Sequence, residues 1–248
     1  MNALAADPIP LTLACVVAFT ASIFGGLSGY GTGLVLPVFL VPLVGVANVV
    51  PVMAVGMLIN NGSRVIAFRR EIQWPHVRRL LVLGLPACVA GAWSYTLLSP
   101  QWIALLLGSF LLLSVPLRRF FRKARIPMSP TAETGGGALF GFINGGLTGA
   151  GIILISLLMS AGVAGSALVA TDAIISVVMG LFKVALFGSL AALDVELALL
   201  GLLVGACTAP GAFVARALLK RIPAGVHAGF MEAVVIVGAL SLLWQARP

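Results

Sequence analysis

A chain of 248 residues that is 60% hydrophobic and only 9% charged, with a mean hydropathy of +1.15, lies far from soluble domains, in which roughly a quarter of residues are charged. It reads as an all-α polytopic membrane protein. The formal charge of +8 sits in short loops between apolar runs, where it sets orientation and argues against a nucleic-acid partner.

Residues Met1 to Pro10 carry Asp7 and no basic side chain, which does not fit a cleaved signal peptide. Leu11 to Leu27 then run without charge into the glycine-rich stretch Gly25-Gly26-Leu27-Ser28-Gly29-Tyr30-Gly31. A short apolar piece, Leu34 to Val46, follows, interrupted by Pro37 and Pro42, and Val49 to Phe68 form a span. A basic loop (Arg69, Arg70, Arg78, Arg79) precedes the spans Leu80 to Leu98 and Trp102 to Leu117. A second basic cluster, Arg118 to Arg125, opens a Pro/Ser/Thr-rich linker over 118–134, between a first repeat (1–117) and a second (135–248). The second repeat holds another break, Gly145-Gly146-Leu147-Thr148-Gly149-Ala150-Gly151, then Ile152 to Val163, a span from Ala167 to Phe187, an acidic loop with Asp194 and Glu196, a span to Ala215, a third basic loop (Arg216, Lys220, Arg221) and a last span to Leu243.

The two glycine breaks share one pattern, with a hydroxyl (Ser28, Thr148) in register, and the match extends to Arg64-Val65-Ile66-Ala67-Phe68 against Lys183-Val184-Ala185-Leu186-Phe187 and Gly91-Ala92 against Gly211-Ala212. Equivalent loops carry opposite charge: basic Arg69 to Arg79 corresponds to acidic Asp194 and Glu196, and uncharged Ser99-Pro100 to Arg216 to Arg221. That predicts two inverted-topology repeats, each a glycine-broken hairpin plus about three full spans, in total roughly 8 to 10 membrane segments. Five crossings per half, or three plus a re-entrant hairpin, both give the odd number that inversion requires. Of the 15 basic residues, all but Arg64, Lys183 and Arg247 then lie on the cytoplasmic side, and both termini lie outside.

A helix starting just after a glycine turn offers free N–H groups and the positive end of its dipole, and inside a membrane such an opening must face a cavity or a ligand. Two paired breaks therefore predict an oxyanion site: Ser28, Thr148 and Asn144 as donors, Gly29, Gly31, Gly33, Gly149 and Gly151 as the close-approach surface, with Tyr30 beside them. Tight helix packing is the competing role for any one glycine. Arg64 and Lys183, equivalent by repeat and within spans, either attract the anion or snorkel to the interface about five residues away. Asn60 and Asn61 are cavity-lining candidates. Asp172 is read as a helix cap, a partner for a cation or a carrier of a coupling proton, capping being favoured by Thr171-Asp172 near a helix start; Glu232 is the other coupling candidate. Cys15, Cys88 and Cys207 have no metal-binding spacing and read as small packing residues. No cofactor or nucleotide motif is present. Gly26-Leu27-Ser28-Gly29 has the form of the serine motif of rhomboid-type intramembrane proteases, but only His76 and His227 exist to serve it and the second copy has Thr148. An enzyme is not expected.

Phe24-Gly-Gly-Leu-Ser-Gly-Tyr-Gly-Thr-Gly-Leu-Val-Leu-Pro37, its echo Phe142-Ile-Asn-Gly-Gly-Leu-Thr-Gly-Ala-Gly151, and the basic turn followed by Ile72-Gln73-Trp74 together resemble the sulfite exporter TauE/SafE family over essentially the whole chain. The resemblance implies a secondary carrier for sulfur-containing oxyanions such as sulfite or organosulfonates, in a bacterial inner membrane, working by alternating access and compatible with a homodimer. Tyr30, Thr32 and Ala150 depart from its most glycine-dense members. The alternatives are a carrier of another small anion, such as a carboxylate, and a non-transporting assembly or sensor component. The topology has a direct check: an impermeant reagent should label a cysteine placed in 118–134 only from the cytoplasmic side, whereas tags at Met1 and Pro248 should be reached only from outside.

Overall fold

The computed structural model describes residues 8–28, 31–123, 128–218 and 235–244, and they are helical nearly throughout, with no strand among them. In the first half, α1 (Pro8–Ser28) runs into the glycine break, α2 (Gly31–Val44) leaves it, and α3 (Val46–Phe68) ends in a single 3₁₀ turn, Arg69–Glu71. Two more helices follow, α4 (Trp74–Thr96) and α5 (Pro100–Lys123). The second half repeats the order with α6 (Pro130–Gly146), α7 (Gly151–Ser160), α8 (Gly165–Ser189), α9 (Val195–Leu218) and α10 (Val235–Trp244).

The helix starts follow local chemistry. Ser129 caps α6, its hydroxyl accepting from Ala132 N at 3.2 Å, with Pro130 at the first position and Glu133 at the positive end of the dipole. Asp194 caps α9 by accepting from Leu197 N at 2.8 Å. Trp74-Pro75 starts α4 earlier than hydropathy predicts, so Arg78 and Arg79 belong to its first turns and not to a loop. The long stems of these arginines let a helix begin before its apolar run does.

Among the described residues, α3 with its 3₁₀ turn, α4, the stretch Pro100–Leu117 of α5, and α8 are long and apolar enough to cross a membrane. The 14 residues of α2 and the 10 of α7 span only about 21 and about 15 Å at ~1.5 Å per residue, short of a hydrocarbon core of about 30 Å. Instead, α7 doubles back along α6. Leu157 lies over Gly136, and Met128 N donates to Ser160 O at 3.2 Å, so α7 ends beside the start of α6. Likewise Thr32, at the start of α2, donates to Ala21 O of α1 at 3.2 Å. Both pairs therefore form hairpins, each with a second arm shorter than a full span.

The halves interlock. The hairpin helix α6 packs chiefly on α4 of the first half, and α1 packs chiefly on α9 of the second, with α3 against α8 at the centre. Small residues permit this. A Cβ on Gly84 would sit 2.9 Å from Gly137 O, and one on Gly205 2.9 Å from Gly56 O. Gly145, the first glycine of its break, belongs to this packing set, since a Cβ there would meet Ala92 N at 2.6 Å.

The pairings fix direction. His76 meets Glu133 and Cys88 meets Gly145, so α4 and α6 are parallel. Arg64 meets Asp172 and Leu58 meets Gly180, so α3 and α8 are antiparallel. Tyr95, near the end of α4, donates to Ala47 O at the start of α3, 2.9 Å away. One apolar core gathers α1, α2, α3, α5, α9 and α10, and a second gathers α4, α6, α7 and α8 with Phe110 of α5. Each therefore mixes helices of both halves.

Outside these cores the chain exposes Val82, Trp93, Leu113 and Leu181, an apolar surface suited to lipid contact. The α4–α6 contact yields a mutational test. Gly141→Val drives a side chain into the backbone at Gly84 and should remove most folded protein from a detergent extract, an overpacking cost of about 3 kcal/mol or more. Gly135→Ala, where nothing lies within 4 Å, should raise the unfolding midpoint, because it removes about 0.5–1 kcal/mol of glycine's entropy cost in a helix.

Candidate functional site

The helix that follows the first break meets the second break. A Cβ on Gly33, in the first turn of α2, would lie 3.2 Å from both N and Cα of Gly149 in the second break, and Gly149 holds φ at +82°, a conformation that glycine adopts without a Cβ clash. Between α6 and α7 the chain passes through Leu147 in an extended conformation, and no side chain caps the start of α7. The N-terminal end of α7, with its partial positive charge, is thus left facing the space beside the break.

That space is a cavity of about 80 Å³, walled by Met53, Met57 and Leu58 of α3, Gly33, the break from Leu147 to Gly151, and Ser176 and Gly180 of α8. At about 30 Å³ per water, it has room for two or three waters or one small oxyanion. Its polar groups converge from three helices: Asn61, Asn144, Thr148, Ser176 and Lys183. Lys183 is 6% exposed, and its Nζ donates to Asn144 O at 2.6 Å. That carbonyl belongs to the last turn of α6, whose end carries partial negative charge, so the ammonium is held without a carboxylate. Two of its three N–H groups are left to the cavity. The Thr148 hydroxyl is also buried, and its oxygen has no hydrogen-bond partner among the described residues. The Asn144 amide rests against sulfur, 3.7 Å from Met179 Sδ and 4.0 Å from Cys88 Sγ.

One turn beyond the cavity on each central helix is a buried ion pair. Arg64 Nη2 lies 3.0 Å from Asp172 Oδ2, with side-chain exposures of 7% and 3%, and Arg64 Nη1 donates to Asn61 Oδ1 at 3.1 Å. Asp172 is therefore a cation's partner in the interior of α8, and its reading as a helix cap is corrected. Asp172 lies past the second turn of α8, which begins at Gly165, too far in for its side chain to reach the free N–H groups. Arg64 and Lys183 are both buried, which removes snorkelling to the interface as their arrangement. Nearer the basic end, buried Glu133 accepts from Arg79 Nη1 at 3.2 Å and meets His76 Nδ1 at 2.6 Å, locking α6 to α4.

Of the residues singled out in the sequence, the structure gathers Asn144, Thr148, Gly149, Gly151 and Lys183 at the cavity. Arg64 reaches it only through Asn61. Asn60 does not line it; its amide turns to Met57 Sδ at 3.7 Å, and its neighbour Asn61 takes that place because a helix sets adjacent residues about 100° apart. Gly31 begins α2 and Ser28 ends α1, while Gly29, Tyr30 and Glu232 lie outside the described residues. Sequence reading missed Ser176. The signal was helical spacing, since Asp172, Ser176, Gly180 and Lys183 share one face of α8.

A family model described as sulfite exporter TauE/SafE matches residues 14–242, nearly the whole chain. No curated protein and no solved structure matches. The lysine offers a check on the site. Lys183→Met removes a buried charge while keeping a flexible stem, so the ligand-free protein should unfold at the same temperature or higher, yet any anion-induced rise in that temperature should vanish. A purely structural lysine would instead lower the ligand-free midpoint.

Proposed function

Because this chain belongs to the sulfite exporter TauE/SafE family, we propose that it is a secondary carrier that moves a small sulfur oxyanion, sulfite or an organosulfonate, through the cavity between its two glycine breaks. The observation that carries this reading is the buried Lys183 ammonium, held among the described residues by a helix-end carbonyl alone, in a cavity shared with the Thr148 hydroxyl, which none of them partners. A site with a buried cation, a spare hydroxyl and an uncapped helix start is built for negative charge. A metal ion or a neutral solute would leave the ammonium unmatched.

Alternating access follows from how the halves are related. The opposed directions of α3 and α8, which occupy equivalent places in the two halves, support inverted repeats, in which exchanging the conformations of two halves turns one membrane face into the other. The basic end, with Arg69, Arg70, Arg78 and Arg79, is cytoplasmic in this reading and the Asp194–Glu196 end external, with the protein in an inner membrane and both termini outside. The surface of movement is the contact of α3 with α8, where Leu58 lies over Gly180 and a small residue lets the helices approach closely.

Thermal unfolding of the purified protein tests the substrate. Sulfite and methanesulfonate should each raise the midpoint, by an amount equivalent to about 2.7 kcal/mol at a hundredfold excess over Kd, and Gly149→Leu should remove the rise. A shift with acetate but not with the sulfur anions would replace the substrate class. A protein indifferent to every anion, whose Gly149→Leu variant behaves as wild type, would be a non-transporting component.

A further inference from the structure

Anion binding at Lys183 leaves the buried pair Arg64–Asp172 unused. The pair has a particular place. On α3 it lies one turn past Asn61, and on α8 one turn before Ser176, both of which line the cavity. Each step leads toward the end where the 3₁₀ turn Arg69–Glu71 lies. The pair also crosses the line between the two apolar cores, since α3 is packed into one and α8 into the other. It is thus the polar contact that fastens the two packed bodies together directly beside the cavity. Asn61, which holds Arg64 on one side and faces the cavity on the other, puts the guanidinium one side chain from a bound anion.

The other ionisable groups on elements packed against α8 lie away from the pair, Arg78 of α4 being exposed. Glu71 of the 3₁₀ turn accepts from Ser166 at the start of α8, beside exposed Arg69 and Arg70. His76 and Arg79 of α4 bind Glu133 of α6, and α7 carries no charged residue. Lys183, about three turns along α8, is held by Asn144. The repeat does not duplicate the gate either: the register that aligns Arg64 with Lys183 aligns Asp172 with Met53.

We propose that the Arg64–Asp172 pair is the gate on the basic side of the cavity, and that one proton taken up by Asp172 frees Arg64 to receive the anion from Lys183. The second half of this proposal rests on the anion reading of the cavity; the gate itself does not. The step balances simply. The carboxylate gains a proton from water and becomes a neutral acid, the Arg64 guanidinium loses its counter-charge, and the anion replaces it. Breaking a buried pair without a substitute leaves an uncompensated charge, which is strongly unfavourable. Protonation alone therefore raises the open population only in part, and proton and anion together complete the opening, which couples one to the other.

The gate is tested without any anion. In vesicles with the basic end outward, Ser176→Cys, with Cys15, Cys88 and Cys207 replaced by serine, is labelled by an impermeant thiol reagent. Expressed relative to an exposed reference cysteine, which removes the thiolate's own pH dependence at every step, labelling should accelerate on the order of tenfold from neutral to mildly acidic pH, as expected of a two-state gate shifted by one buried charge. Adding Asp172→Asn should make it fast at every pH. Should that variant fail to fold with Arg64 uncompensated, the neutral pair Arg64→Gln with Asp172→Asn should give the same fast, pH-independent labelling. Slow labelling in the neutral pair, or a pH dependence that survives in it, overturns the gate. The hand-over is read separately with methanesulfonate, which stays ionised: its uptake should carry protons in the wild type and none in the neutral pair. Proton movement retained by the neutral pair overturns the coupling. Absence of methanesulfonate movement in the wild type overturns the hand-over together with the anion reading, while the labelling still decides the gate.

Discussion

Backbone that is away from water must satisfy its own N–H and C=O groups, and within a bilayer a helix can be interrupted only where something replaces the lost bonds. This chain interrupts two helices and brings the interruptions together, with Gly33 against Gly149. The consequences follow in sequence. The end of α6 supplies carbonyl oxygens, one of which binds Lys183. The start of α7 supplies the opposite pole, uncapped by any side chain. A cavity between them inherits a cation, a hydroxyl and a helix N-terminus, and the surrounding methionine and leucine side chains keep the local dielectric low enough for those groups to act strongly on a bound charge.

The division into halves that is plain in the sequence is not the division by which the protein packs. Because α1 leans on α9 and α6 on α4, each apolar core mixes helices of both halves. Glycines at 84, 137, 56 and 205 let these helices approach until backbones touch, so the partners cannot separate without opening voids. The contact of α3 with α8 differs. It carries the cavity, the buried ion pair and a small third cluster in which Tyr95 meets Phe187 edge-on, with ring centroids 5.9 Å apart. Movement confined to that seam would change access to the cavity while leaving both cores intact, which is a less costly rearrangement than parting the two sequence halves.

The membrane class, the duplication and the importance of the breaks were legible because each rests on composition or repetition. So was Lys183, since a cation within an apolar run is conspicuous. What sequence concealed was mostly helical phase and helix start. Asn60 and Asn61 are adjacent and chemically identical, and only the rotation of α3 selects Asn61 for the cavity. Asp172 resembled a cap because it lies near the start of α8, yet it stands past the second turn. Glu133 attracted no notice in a polar linker, although it is 1% exposed and joined to His76 and Arg79 across helices. Its role depends on α6 lying parallel to α4, a pairing between distant parts of the chain that no local pattern reveals. The glycines were double in meaning: Gly145 packs, Gly149 turns, and one motif contains both.

The duplication also explains why the two membrane-buried cations differ. A repeat that placed a carboxylate beside both would neutralise the site and leave nothing for an anion to bind. A repeat that left both without one would put two uncompensated charges in an apolar interior, each strongly unfavourable. With Asp172 opposite Arg64 and Met53 at the matching place in the other half, one cation is paired with a carboxylate and the other is held by a carbonyl. Among the described residues, the seam between α3 and α8 is thus fastened by charge on the basic side of the cavity, at a pair of positions where the two halves differ.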